Sequence, residues 1–380
     1  MPYQDTVFGG LMKAFPRWRF DKLVERHRAD YRVRRLSSWS QLQAMVFCQL
    51  SGSRSLRETV GALERFPGCH AHLGLEPVRR STLADANRVR PAALFEDVLE
   101  ALVGELGRRG GRRGKEMLRL IDATRVMVGK RIESWEADGA VKLHVVYDPG
   151  ADAPVCFAVT SVRMNDITPA KRFPIEPGAT YVFDKGYYDF GFWAALDAEG
   201  CRFVTRLKKN SPTRTIETRA TEPEGPVLAD RVARLSTRLA SSRSNPFDKP
   251  VRLIDVRIDS GRVITLLSND LDAPAEEIAA LYKQRWQIEL FFKWIKQNLK
   301  IRHFLGASEN AVRIQIVTAL IAYLLLRLAQ IGTETELGLQ AIARLVAKTT
   351  FQRRALTDLF EPPPDNPKPH DQLQIPFAKI

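Results

Sequence analysis

Apolar residues recur at helical spacing through the N-terminal third of the chain and switch to alternation after about residue 116. Leu42, Met45, Val46 and Leu50, then Leu56, Val60 and Leu63, predict two helices with Ser51-Gly52-Ser53 as the turn between them. Another helix is predicted from Pro91 to Leu106. Leu118 to Val128, Ala140 to Tyr147 and Val155 to Val162 read as three successive strands, with Asp148-Pro149-Gly150 turning between the second and third. Tyr181 to Asp184 reads as a fourth strand, a helix runs through Trp193 and Leu196, and Cys201 to Leu207 reads as a fifth strand. Strands first, then strands mixed with helices, indicate an α/β or α+β layer.

Residues 208 to 250 are polar with little periodicity, and Val251 to Ile258 and Arg262 to Leu267 predict a hairpin across Asp259-Ser260-Gly261. Residues 208 to 270 therefore read as a strand- and loop-rich insertion. Asp272-Ala273-Pro274 is expected to cap the next helix, with Glu276 and Glu277 in its first turn. Tyr282 to Lys296 reads as a single helix. At about 100° per residue, Tyr282, Arg285, Glu289 and Lys296 fall in one stripe about 60° wide. The far side carries Ile288, Leu290, Phe291, Trp294 and Ile295, and Trp286, Phe291, Phe292 and Trp294 are expected in the core. Ile316 to Leu326 reads as a buried helix, short of the roughly 20 apolar residues of a membrane span. The Pro-rich segment from Glu361 is expected to be irregular.

A chain of 380 residues is long enough for two or three domains. The Gly- and Arg-rich stretch 108–115 is expected to be a linker between a helical domain, 1–107, and a domain spanning 116–340, with 341–380 as a tail. With 58 Lys and Arg against 44 Asp and Glu the net charge is +14, which favours a polyanionic partner. Residues 1–115 hold 21 basic and 12 acidic side chains, so +9 of this excess lies there. Between Arg17 and Arg35 eight basic residues, Arg32, Arg34 and Arg35 among them, interleave with Trp18, Phe20 and Tyr31. That mixture suits phosphate contact with stacking, and equally a solvated helix face. Four scattered cysteines without a CxxC pair indicate neither a disulfide framework nor a zinc ribbon, and fit a reducing cytoplasm. Cys69-His70-Ala71-His72 lacks a second ligand pair at finger spacing. The N-terminus shows no secretion signal, and no membrane partner is expected.

Asp122 closes the apolar run Leu118, Leu120, Ile121, and Asp184 closes Tyr181-Val182-Phe183. An acid in that position is costly to bury unless a cation or hydrogen bonds satisfy it. Together with Glu289 they form an ordered set of three hard oxygen ligands, which suits a pair of Mg2+ or Mn2+ ions and phosphodiester chemistry. Arg285, Glu289 and Lys293 also fit ordinary i,i+4 ion pairs on an exposed helix. His144 is expected to be an outward-facing strand residue.

These residues resemble a known family, the bacterial insertion-sequence DDE transposases, in the subgroup with a Tyr-x2-Arg-x3-Glu-x6-Lys signature. Tyr282, Arg285, Glu289 and Lys296 match that spacing in full. Leu120-Ile121-Asp122-Ala123-Thr124 looks like the first aspartate motif of the family, and Phe183-Asp184-Lys185-Gly186-Tyr187-Tyr188-Asp189 like the second. The resemblance spans roughly residues 5 to 330. It implies an RNase H-like catalytic core with a β-rich insertion, preceded by a helical DNA-binding domain. It further implies that Asp122, Asp184 and Glu289 are catalytic and bind two divalent ions. Tyr282, Arg285 and Lys296, with Lys293 beside them, would hold DNA phosphates, and Arg32, Arg34 and Arg35 would dock the duplex. The expected partners are double-stranded DNA, as terminal inverted repeats and target, and a second copy of the chain on paired ends, in the cytoplasm at the bacterial nucleoid. A structure-specific nuclease on the same fold and a catalytically silent DNA-binding repressor are the alternatives. The insertion lacks the tryptophan on which some family members stack a flipped base.

Overall fold

A computed structural model describes residues 5–66, 70–109, 117–129, 132, 136, 138–222, 225–236, 244–301 and 304–361. The expected linker at 108–115 falls largely outside them, as does Cys69; Arg108 and Arg109 instead complete a helix. Seven helices come first: α1 (Val7–Met12), α2 (Arg17–His27), α3 (Ser38–Ser51), α4 (Leu56–Glu64), α5 (His70–Leu73), α6 (Arg80–Val89) and α7 (Ala92–Arg109). Side-chain caps start several of them. Ser37 accepts from the Ser40 amide at α3, and Ser55 from the Glu58 amide at α4, while the Glu58 carboxylate reaches back to the Arg54 amide. Gly52 ends α3 in the left-handed region, φ +76°, where a Cβ would be strained.

Helix α3 is interior from Ser38 to Leu50. Its buried amides are satisfied: Gln41 donates to Asn87 Oδ1, Gln43 to the Leu73 carbonyl and Gln49 to the Gln315 carbonyl. Of the region expected to dock DNA, this helix presents no outer face. His72, from the Cys69–His72 stretch, lies 3.3 Å from Thr6 Oγ1 and Asp5 Oδ1.

One nine-stranded mixed sheet follows. It comprises β1 (Leu118–Met127), β2 (Ala140–Asp148), β3 (Ala153–Ser161), β4 (Thr180–Phe183), β5 (Arg202–Arg206), β6 (Thr213–Arg219), β7 (Val227–Leu235), β8 (Val251–Arg257) and β9 (Val263–Ser268). The order is β3-β2-β1-β4-β5-β9-β8-β7-β6. β1, β2 and β3 pair antiparallel, β1, β4 and β5 parallel, and β5, β9, β8, β7 and β6 antiparallel. The predicted insertion therefore extends the sheet. β6 escaped the sequence reading for a physical reason: it is the edge strand, exposed at nearly every residue, so no face imposes alternation on it.

Two apolar layers cover the sheet, and the side-chain period of 2 assigns residues to them. Leu120, Val182 and Val204 join one cluster; Ile121, Phe183 and Phe203 join the other. The second is capped by α9 (Phe190–Ala198), whose fully buried Trp193 stacks on Phe203 at 5.4 Å. The first continues into α10 (Ala275–Gln284), α11 (Trp286–Asn298), α12 (Glu309–Gly332) and the N-terminal helices. The short α8 (Ile167–Ala170) precedes β4. α12 packs on α7, α3 and α6, and although long and apolar enough to cross a membrane, its most apolar stretch is 83% buried inside the protein. Two more helices, α13 (Leu339–Thr349) and α14 (Leu356–Phe360), occupy the first part of the segment expected to be tail, because Ile342, Val346, Leu359 and Phe360 are buried.

Three local expectations are corrected. The expected single helix from Tyr282 to Lys296 is two: the helical bonding breaks at Arg285, whose amide reaches Tyr282, while its backbone stays right-handed, so the stripe survives. Asp272 does not cap α10; the Asp270 carboxylate accepts from the Asp272 and Ala273 amides instead. His144 is fully buried, not outward, because β2 is covered on both faces, and its ring bonds Thr160 at 2.8 Å. Burial lowers its pKa to about 4, so the ring is neutral.

Candidate active site

Parallel pairing of β1 with β4 sets Ile121 opposite Phe183, so the next residues, Asp122 and Asp184, stand side by side at the end of the β4 pairing. Asp122 shares its face with Leu120, the face on which α11 packs. α11 lays Glu289 over β1. Its Ile288, Phe291, Phe292 and Ile295 are buried, which holds the helix down and leaves Glu289 and Lys296 at the edge of the contact. Trp286 is not core: it is 58% exposed, on the outer side of α11 with Leu290 and Lys293.

Arg285 sits between two of the three acids. Its guanidinium is 2.6 Å from Glu289 Oε1 and 3.5 Å from Asp122 Oδ2. The ring of Tyr282 backs it, with the Arg285 Cζ 5.8 Å from the ring centroid. Lys296 donates to Thr124 Oγ1 at 2.6 Å, on the same face of β1 as Asp122. Asp122, Ala123, Thr124, Glu289, Phe292, Lys293 and Lys296 line a cavity of about 370 Å³. Tyr282, Arg285, Glu289, Lys293 and Lys296 are thus gathered with the two aspartates. Arg32, Arg34 and Arg35 are exposed on the loop after α2 and, among the described residues, make no hydrogen bond or ion pair with this constellation.

Four participants had no role in the sequence reading. Thr124 anchors Lys296. Arg206, at the end of β5, lies 3.9 Å from Asp184 Oδ1. Among the described residues, the buried Tyr187 hydroxyl beneath the site has no hydrogen-bond partner, and neither does the buried Asp184 Oδ1. Asp166 pairs with Lys142 at 2.7 Å and adds a further negative charge facing Tyr187. The signal for Arg206 was a cation closing a strand, but its neighbour could be known only from the strand order.

Burial raises the Asp122 pKa to about 6, opposed by the Ala123 amide and Arg285. The folded protein therefore holds this proton more tightly than the unfolded chain, and stability falls as pH rises from about 4 to about 6. Asp122→Asn removes the term. Its urea stability relative to wild type is expected to rise by roughly 1 to 3 kcal/mol between about pH 4 and pH 7. A difference that stays constant across that range would refute the shift.

Such an acid requires a cation, and Arg285 supplies one here. Among the described residues, no three His, Cys, Asp or Glu side chains converge on a single point. The donors nevertheless suit a hard ion: Asp122 and Asp184 are adjacent, with a buried carboxylate oxygen that lacks a hydrogen bond.

A mixed sheet bearing these acids, with arginine and lysine over them, is an arrangement for handling phosphate. Residues 113–325 match the family model described as the transposase DDE domain, and the chain belongs to that family of DNA-cutting and DNA-joining enzymes. Its members generally use divalent metal ions. Residues 3–76 match a second model, described as a domain of unknown function. The chain is 42% identical over 299 residues, 77% of its length and 83% of the relative's, to a protein of Sinorhizobium fredii named as a transposase. It is 30% identical over 268 residues, 67% of its length and 68% of the relative's, to a protein of Geobacillus stearothermophilus named as the transposase of an insertion sequence element.

Proposed function

We propose that this DNA transposase cleaves the ends of an insertion element and joins the freed 3′-hydroxyl to target DNA, with Asp122, Asp184 and Glu289 as its catalytic carboxylates. The observation that carries the reading is the parallel β1–β4 register, which sets Asp122 beside Asp184 beneath Glu289 of α11. The order β3-β2-β1-β4-β5, antiparallel then parallel, supports an RNase H-like core, and β6–β9 form its insertion. Asp122, Asp184 and Glu289 would hold two Mg2+ or Mn2+ ions between them. Bound ions supply activation of the attacking oxygen and neutralisation of the leaving one.

The protein's own groups do the rest. Arg285 neutralises Asp122 and Glu289 in this structure; with those carboxylates holding a cation, its guanidinium would be available to donate to a phosphate. Lys296, held by Thr124, and Lys293, on the cavity wall, place two more cations where charge develops on the scissile phosphate. Tyr282 keeps Arg285 in place, which supports the Tyr-Arg-Glu-Lys subgroup. The domain of residues 1–107 would dock double-stranded DNA, terminal inverted repeats and target, through Arg32, Arg34 and Arg35, and two copies would act on paired ends at the nucleoid.

The test is strand transfer with pre-cut ends taken from the inverted repeats that border the gene, in Mg2+. Joined products are expected. Nicking without joining would make the protein a nuclease, and binding with neither would make it a repressor.

A further inference from the structure

Seven of the sixteen arginines described between Arg17 and Arg109 pair with carboxylates within the protein. Arg17 pairs with Asp21, Arg19, Arg108 and Arg109 with Glu105, Arg26 with Asp97, Arg88 with Asp85, and Arg90 with Asp30. Arg54, Arg57 and Arg80 are different. All three are exposed, none has a carboxylate within 4.0 Å among the described residues, and all three line one cavity of about 340 Å³. Ser55, Leu56, Phe304 and Leu305 also line it, and no acid is among the described lining residues. The nearest acid in sequence, Glu58, has its carboxylate engaged by the Arg54 amide at 2.6 Å.

Another cavity of the molecule shows what balance looks like: Glu96, Glu136 and Glu309 there accompany Arg172 and Arg313. Three arginines lining one cavity repel one another unless an anion joins them. Each offers a planar fork of donors that matches phosphate oxygens, and a cavity with three forks holds one phosphate from several sides. Its wall is built from the start of α4, the start of α6 and residues 304–305, the chain just beyond α11. A phosphate seated there would be fixed to the N-terminal helices and to the segment leaving the catalytic helix at once.

We infer that this cavity binds a backbone phosphate of duplex DNA, as a docking point separate from the carboxylate site. The inference rests on the transposase reading for the identity of the polyanion and on the cavity for its place. Overall charge complementarity with a chain of +14 favours the duplex as the occupant.

The experiment compares wild type with the triple variant Arg54→Ala/Arg57→Ala/Arg80→Ala, and with a control triple, Arg26→Ala/Arg88→Ala/Arg109→Ala, that removes exposed but paired arginines. Binding of a labelled duplex is followed by fluorescence anisotropy in EDTA between about 50 and 200 mM KCl. Loss of one phosphate contact should lower the slope of log K against log salt by about 0.9 in the cavity variant, and affinity at least tenfold. The control should keep its slope. A cavity variant with unchanged slope and an unchanged thermal unfolding profile overturns the inference while leaving the transposase reading intact. Equal losses in both triples overturn it too, since bulk charge would then explain binding. Wild-type protein with no duplex affinity would sink both readings.

Discussion

Asp122→Asn, Asp184→Asn and Glu289→Gln are each expected to reduce Mg2+-dependent strand cleavage by on the order of a thousandfold, about 4 kcal/mol of transition-state stabilisation. Each exchange keeps side-chain shape and removes only the charge. At Asp122 the change also relieves the burial that pushes the carboxyl up to about 6, so the variant should fold at least as well as wild type. Duplex binding should stay within about threefold, because phosphate contacts come from cations and not from the three acids. The measurements are cleavage of a labelled element end and anisotropy on the same preparations. Wild-type cleavage by any of the three variants removes that residue from the catalytic set. A parallel loss of binding would instead mean that the acid organises the DNA surface.

Arg252→Ala carries the largest expected cost to stability, about 3–5 kcal/mol. Arg252 and Asp230 are both buried and meet in a two-pronged pair, Nε to Oδ1 and Nη2 to Oδ2, each 2.6 Å. Nη1 of the same side chain donates to the Leu271 and Ala273 carbonyls at 3.0 and 2.8 Å, just before α10. Truncation strands a buried carboxylate and removes the donor to the Ala273 carbonyl, while the Leu271 carbonyl keeps Arg219 at 2.6 Å. The pair therefore ties β7 and β8 to the start of the helix that leads into Arg285 and Glu289. Urea unfolding measures the loss. The double variant Arg252→Met/Asp230→Leu, which leaves no lone charge, should cost clearly less than Arg252→Ala. If the two are equally destabilised, the pair is not what holds this junction.

These two predictions differ in how visible their residues were beforehand. The acids could be read because each closes an apolar strand or shares a helix stripe with cations, signals confined to a few neighbouring positions. Arg252 and Asp230 gave no such signal: Asp230 lies in a polar, weakly periodic stretch and Arg252 is a lone charge in a predicted strand 22 residues on, and nothing joins them until β7 is seen to pair with β8. Trp286 erred in the opposite sense. Its aromatic ring suggested core, but the direction in which α11 packs is set by Ile288, Phe291, Phe292 and Ile295, and they leave Trp286 outside.

Local pattern along the chain was enough for the central strands and the hairpin of β8 and β9, and for naming the candidate acids and the cationic stripe, because alternation, helical period and motif spacing are short-range properties. The order of the strands, the adjacency of Asp122 and Asp184, the seat of Arg285 between two carboxylates and the meeting of Arg54, Arg57 and Arg80 came from packing. Those are contacts between segments tens to hundreds of residues apart, and which face of each element is buried is settled only when the partner that buries it is in place.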